Sequence, residues 1–348
     1  MTSNQKIHRY ARQIQFGPVG QEGQARIRGS SVAILGCGAL GTVAAEILAR
    51  AGVQRLRIID RDVVEWSNLQ RQSLFDEEDA EQGRSKAEAA SLHLAKINSE
   101  VTLEPIVADI TSENIVQILE SMDLVIDAAD NFSLRFLLND WSLKHRRPWV
   151  HGGCVGATGQ VLLLTGDGGP CFRCLVPEPP PSASVDTCDT AGVIGSATHT
   201  IASLQATEAI KWLSGNHEQA RAKLISLDLW NNRIRELKIP KQLQEHCLAC
   251  GKEQFEFLDG DRAIQSETTA VLCGREAVQI QTNESNIDFE QISNRWQSVG
   301  RVQVTRFFVR LYLSDQQNLT LFRDGRVVVN GTDQISEARS LVSRFLGG

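Results

Sequence analysis

Between residues 30 and 165, short apolar runs alternate with longer stretches whose apolar residues recur at helical spacing. Ser31–Leu35 (Ser-Val-Ala-Ile-Leu) predicts a buried strand, Thr42–Ala51 a helix stopped by Gly52, and Val53–Asp60 a second strand. Strands are then predicted over Val101–Val107, Asp123–Asp127, Trp149–His151 and Val161–Leu164. Helices fall between them over Ser85–Asn98, Ser112–Ser121 and Phe132–His145. Strands separated by helices predict an α/β fold with a doubly wound, mostly parallel sheet. A proline-rich stretch, Leu175–Asp189, reads as an exposed loop. Beyond it, Ala197–Leu213 is helical, with apolar positions at Ile201, Leu204, Ile210 and Leu213, and Leu224–Leu229 is a strand.

The pattern changes near residue 264. Thr269–Cys273, Val278–Gln281, Val302–Tyr312, Leu319–Arg323 and Arg326–Val329 predict strands, and Phe289–Val299 and Ile335–Leu346 helices. Asp324-Gly325 between two of these strands is a hairpin-turn dipeptide. The chain is therefore expected to divide into a domain over residues 1–252 and a small α+β extension over 264–348.

Composition narrows the class. The 348 residues carry 36 basic and 42 acidic side chains, a net charge of −6, and 42% are hydrophobic, which fits a globular chain. An acidic balance argues against a nucleic-acid-coating surface. No apolar run approaches the roughly 20 residues that span a bilayer, and Met1–Tyr10 lacks an apolar export stretch. The expected setting is cytoplasmic, with no membrane or nucleic-acid partner.

In a reducing compartment, eight cysteines are not a disulfide framework. Four of them form two C-x-x-C pairs, Cys171/Cys174 and Cys247/Cys250. Two such turns supply a tetrahedral four-thiolate shell of the kind that holds structural Zn²⁺, provided the fold brings the pairs together. A closed shell has no open position for catalysis.

The segment Gly36-Cys37-Gly38-Ala39-Leu40-Gly41 lies between the first strand and the first helix. Gly36 permits the tight turn, Gly38 admits a phosphate close to the backbone, and Gly41 permits close helix packing. With Asp60 ending the second strand, the default reading is a Rossmann-like dinucleotide site. Arg71 and Lys86 alter that reading, because two further cations suit a triphosphate. Asp130 follows the strand ending at Asp127, on the ligand-binding edge of such sheets. A carboxylate beside a triphosphate is a natural Mg²⁺ ligand.

Taken in order, Arg9-Tyr10-Ala11-Arg12-Gln13, the Gly36–Gly41 turn, Ser67-Asn68-Leu69-Gln70-Arg71-Gln72, Lys86, Asp130-Asn131, the paired C-x-x-C motifs and Thr187-Cys188-Asp189-Thr190-Ala191-Gly192-Val193 resemble the ThiF/MoeB/HesA family. These are adenylyltransferases of the ubiquitin-activating-enzyme superfamily. The resemblance covers roughly residues 8–251. It implies ATP-dependent adenylation of the C-terminal glycine carboxylate of a ubiquitin-like sulfur carrier (ThiS- or MoaD-like), for thiamin thiazole or molybdopterin synthesis. It further implies that nucleotide lies on Gly36, Gly38, Ala39 and Gly41, with Asp60 on the ribose and Asp62 beside it. Asn68, Arg71 and Lys86 would hold the phosphates, and Asp130, next to Asn131, would hold Mg²⁺. Arg12 would reach the partner's nucleotide in a homodimer. Cys188 would be either a covalent carrier attachment point or an unreactive thiol. The tail resembles an extension of some thiazole-branch members and lacks an obvious rhodanese loop, so a separate protein such as a cysteine desulfurase is the expected sulfur donor. The competing readings are an NAD-dependent oxidoreductase and a non-catalytic scaffold that binds ATP and a carrier.

Overall fold

The protein is described by a computed structural model over residues 9–180, 191–220, 223–260, 262–263, 269–272, 276–282 and 287–347. It divides into two compact units, residues 1–264 and 265–348.

The first unit opens with helices α1 (Ala11–Gln15) and α2 (Gly20–Ile27). Strands β1 (Ser31–Leu35), β2 (Arg55–Ile59), β3 (Thr102–Ile106), β4 (Leu124–Asp127) and β5 (Trp149–Val155) pair in parallel in the order β3-β2-β1-β4-β5. The helices between them are α3 (Gly41–Ala51), α4 (Glu77–Gln82), α5 (Lys86–Ile97), α6 (Ile115–Ile118) and α7 (Phe132–His145). Alternate strand residues feed two cores. Val32, Ile34, Leu56 and Ile58 face one side with α3 and α5, and Ala33, Leu35 and Val125 face the other with α7. This double burial is why residues 32–35 of β1 and 124–126 of β4 are unbroken apolar runs.

The parallel order stops at β5. Gly156 (φ 61°) and Ala157 form a two-residue turn into β6 (Thr158–Leu164), which runs antiparallel. The helices α8 (Phe172–Leu175) and α9 (Gly195–Leu213) follow, then β7 (Lys223–Asp228), β8 (Arg233–Lys238) and helix α10 (Leu243–His246). β7 and β8 extend the sheet antiparallel. β8 has no counterpart in the expected strands. All six of its residues are exposed, Ile234 and Leu237 included, so this edge strand has no buried apolar face to mark it. The helix expected over Ser112–Ser121 shrinks to the single turn α6. There Asn114 spends its side chain on the Asp109 carbonyl and the Thr111 N–H, a local alternative to helix.

In the second unit, β9 (Thr269–Leu272), β10 (Ala277–Gln281), β11 (Arg301–Val304), β12 (Phe308–Tyr312), β13 (Asn318–Phe322) and β14 (Arg326–Asn330) form an antiparallel sheet of order β11-β12-β13-β14-β10-β9. Helices α11 (Phe289–Trp296) and α12 (Ile335–Leu346) cover one face through Ile292, Trp296, Val342 and Phe345. The single strand expected over Val302–Tyr312 is a hairpin. The Thr305 hydroxyl accepts from the N–H groups of Phe307 and Phe308 and turns the chain back. Gly325, at φ 82°, makes the expected Asp-Gly turn.

Candidate active site

The carboxyl ends of β1, β2 and β4 lie level, since Leu35 is paired with both Ile59 and Asp127. Each strand delivers chemistry at that edge. From β1 the chain enters the glycine-rich turn. Gly36 has φ 89°, and a Cβ there would meet the Ala128 carbonyl at 2.7 Å. A Cβ on Gly41 would stand 1.9 Å from the Gly36 carbonyl oxygen. These two glycines are therefore required by closure of the turn itself, and Ala39 between them is tolerated as a half-buried residue.

From β2 comes Asp60. Its Oδ2 accepts from the Cys37 N–H at 2.6 Å and its Oδ1 from the Asp62 N–H at 2.7 Å. Burial pushes this carboxyl above its ordinary range, and Lys86 opposes the shift. The Cys37 thiol is pushed up by burial and by Asp60, consistent with a small packing residue. After Asp62 the chain clasps residues 84–86. Val64 donates to the Arg84 carbonyl at 2.8 Å and Lys86 to the Asp62 carbonyl at 2.9 Å. This clasp sets Lys86, the first residue of α5, in the interior, with Nζ 3.2 Å from Asp62 Oδ2. A buried ammonium needs such a partner.

Asn68 and Arg71 lie on a tight turn, Trp66–Asn68, and the residues just after it. Asn68 is buried and its Oδ1 accepts from the Glu65 N–H at 3.1 Å. Arg71 is half-buried and donates to the Ser67 carbonyl at 2.8 Å. From β4 come Asp130 and Asn131, both exposed, and Asn131 caps α7 by accepting from the Leu134 N–H at 2.8 Å. Arg61, which the motif reading left without a role, connects this edge to β2. Burial lowers the pKa of its guanidinium, but Asp109, Asp62 and Asp130 outweigh that and raise it. Arg12 stands apart on the exposed face of α1, bonded to Gln15 at 3.0 Å. Tyr10 is structural. Its ring fills the space over Gly52, the φ 90° residue that ends α3, and its hydroxyl accepts from Asn98 at 3.0 Å. Cys188 lies outside the described residues, as does Cys273.

Beneath the Asp130 loop is a buried network that the sequence did not disclose. Asp127 Oδ2 accepts from His151 Nδ1 at 2.8 Å and from Arg135 Nε at 3.2 Å, and its Oδ1 accepts from the Ala129 N–H at 3.1 Å. Arg135 also donates to the Ala129 carbonyl at 2.7 Å. The loop carrying Asp130 is thus held at both ends of Ala129. Burial lowers the His151 pKa, against the pull of the Asp127 hydrogen bond. An acid closing an otherwise apolar strand was the available signal.

The two C-x-x-C pairs converge. Sγ separations are 3.9 Å for Cys171–Cys174, 3.6 Å for Cys171–Cys247 and 3.4 Å for Cys174–Cys250, and all four sulfurs lie within 4.8 Å of one another. A tetrahedral zinc with Zn–S bonds of about 2.3 Å spaces its sulfurs about 3.8 Å apart, so the donor set fits. Helix α7 supports the first loop and the segment that follows the second. Asn139 accepts from the Phe172 N–H at 2.9 Å and Asp140 from the Phe257 N–H at 3.0 Å. The Phe172 ring packs 5.2 Å from that of His151. Cys154 is buried in the core on the opposite side of the sheet.

Residues 10–249 match the ThiF family. The chain is 38% identical over 340 residues to the sulfur carrier protein ThiS adenylyltransferase of Bacillus subtilis, covering 97% of this chain and 99% of that protein. It is 38% identical over 264 residues to the sulfur carrier protein adenylyltransferase of Thermus thermophilus, covering 74% and 96%. It is 39% identical over 249 residues to adenylyltransferase and sulfurtransferase MOCS3 of Aedes aegypti, but spans only 56% of that longer protein. Among solved structures, Escherichia coli MccB with ATP superposes with a TM-score of 0.59 at 24% identity, covering 70% of this chain and 74% of that one. The shared fold, the matched span and the near full-length likeness together make this chain a member of the ThiF family.

Proposed function

We propose that the protein is an ATP-dependent adenylyltransferase that activates the C-terminal carboxylate of a ubiquitin-like sulfur carrier. The observation that carries this reading is the buried Lys86, clasped to Asp62 at 3.2 Å beside a glycine-rich turn, with Asn68 and Arg71 on the neighbouring turn. A carrier carboxylate oxygen attacks the α-phosphorus of ATP. The new P–O bond forms as the bond to the β-phosphate breaks, and pyrophosphate leaves with that electron pair. Asp60 binds the ribose hydroxyls, with Asp62 fixing Lys86. Lys86, Arg71 and Asn68 draw off the charge that builds on the phosphate oxygens. Asp130, with Asn131 at its side, would hold Mg²⁺, which when bound would supply further positive charge to the phosphates. The Cys171/Cys174/Cys247/Cys250 cluster holds zinc in a structural role.

Arg12, exposed on α1 and without a site partner in its own chain among the described residues, completes the pocket of a second copy in a homodimer. The near full-length relative that carries the tail is named for ThiS, which favours the thiazole branch over the molybdopterin branch. Sulfur would then come from a separate donor such as a cysteine desulfurase. Exchange of labelled pyrophosphate into ATP, measured with and without a ThiS-like carrier, tests the reading. Carrier-dependent exchange is expected. ATP binding with no exchange for any Gly-Gly-ended carrier would leave only a scaffold.

A further inference from the structure

The strap that carries Lys86 has a second anchor, well outside the nucleotide edge. Residues 84–86 pair antiparallel with residues 62–64, through the two clasp bonds and the Val63–Ser85 bridge between them. The second anchor is Asp79, on the short helix α4. Its carbonyl accepts from the Arg84 N–H at 3.0 Å, and its Oδ1 accepts from Arg84 Nη1 at 2.9 Å. Its Oδ2 lies 2.6 Å from His93 Nε2. His93 follows Lys86 by seven residues on α5, two turns along the same face. Asp79 therefore grips the chain just before Lys86 and the helix just after it.

Asp79 is the one buried residue of α4, and its side chain is wholly shielded from solvent. The neighbouring acids Asp76 and Glu78 also approach His93 and Arg84, but both are exposed. A buried carboxylate adds little stability over a well-packed apolar residue, even when it is paired. What it supplies here is geometry, because side chains from either side of Lys86 converge on its two oxygens.

We infer that Asp79 is a positioning residue for adenylyl transfer, fixing the start of α5, and with it the Lys86 ammonium, through Arg84 and His93. The inference rests on the adenylyltransferase reading and adds to it a residue that touches no substrate. Without Asp79 the strap keeps its pairing with residues 62–64, but α5 is free to shift. The ammonium then no longer meets the phosphate charge where it develops.

A double-mutant cycle on carrier-dependent pyrophosphate exchange tests it, using full-length Asp79→Ala, Lys86→Ala and the pair. Asp79→Ala is expected to lower kcat by about tenfold in the parent, and by less than about twofold in Lys86→Ala. Adenosine affinity, measured by calorimetry, should stay unchanged. Arg84→Met cuts the same link at a partly exposed side chain. It should show the same dependence on Lys86, and it replaces Asp79→Ala in the cycle if that variant does not melt cooperatively. Equal losses in the two backgrounds, or parent-like kcat in the folded variants, would overturn the inference. A parallel fall in adenosine affinity would do so too, since that is the mark of a purely structural residue. A parent chain that exchanges no pyrophosphate with any Gly-Gly-ended carrier would instead overturn the adenylyltransferase reading.

Discussion

At the scale of single residues, charge decides what each side chain can do. Lys86 is buried with its Nζ beside the Asp62 carboxylate, so its ammonium is held in a fixed place at this edge of the sheet. Removing one such preorganised donor costs on the order of 10²–10³ in turnover. Lys86→Ala should therefore lower carrier-dependent pyrophosphate exchange by that factor, as initial-rate measurements would register. Asp140 behaves differently. Burial pushes its carboxyl up to about 6, against the Phe257 N–H that holds it down. The folded chain keeps this proton where the unfolded chain has released it. The group's contribution to stability is therefore largest below the ordinary carboxylate range, declines as pH rises towards 6, and is a constant cost above that. Asp140→Asn can still accept from Phe257 and does not titrate. Melting temperatures across pH 4–7 should fall less steeply with rising pH in this variant than in the parent.

At the scale of elements, position was more legible than connection. The apolar run Ser31–Leu35 and the helix Phe132–His145 appear with the bounds their patterns gave. Arg233–Lys238 stayed hidden because an exposed edge strand has no buried face to mark it. The Gly36–Gly41 turn, Lys86 and the cysteine pairs could be found because each is local in sequence or repeats a spacing. The Asp127–Arg135–His151 network could not, since it exists only once β4 and β5 lie side by side. That network ties two strands and α7 to the loop of Asp130. Asp127→Asn would leave Arg135 buried without its counter-charge, a change that destabilises by about 3–5 kcal/mol. Denaturant unfolding should show a loss of that size. A midpoint equal to the parent's would mean that the loop is held by other contacts.

At the scale of the whole molecule, the four cysteines join chain segments that are far apart in sequence. They close the first unit beside α7, where Asn139 receives the first cysteine-bearing loop and Asp140 the segment after the second. Phe172, inside the first C-x-x-C pair, carries the contact on to His151 and so to the Asp127 network. Zinc in this cluster should act on folding, because a metal that binds only the native arrangement stabilises it. Elemental analysis should find one zinc per chain, and a strong chelator should lower the melting temperature and weaken ATP binding together. Unchanged melting after complete metal removal would rule out the structural role.

The central claim is that the pocket formed by Asp60, Lys86, Arg71 and Asp130 transfers AMP to a protein carboxylate. The most direct measurement is the intact mass of a ThiS-like carrier after incubation with this protein and Mg-ATP. A carrier heavier by one adenylyl group, absent when Lys86→Ala replaces the parent, is the predicted result. A carrier whose mass never changes, while ATP is bound normally, would contradict it.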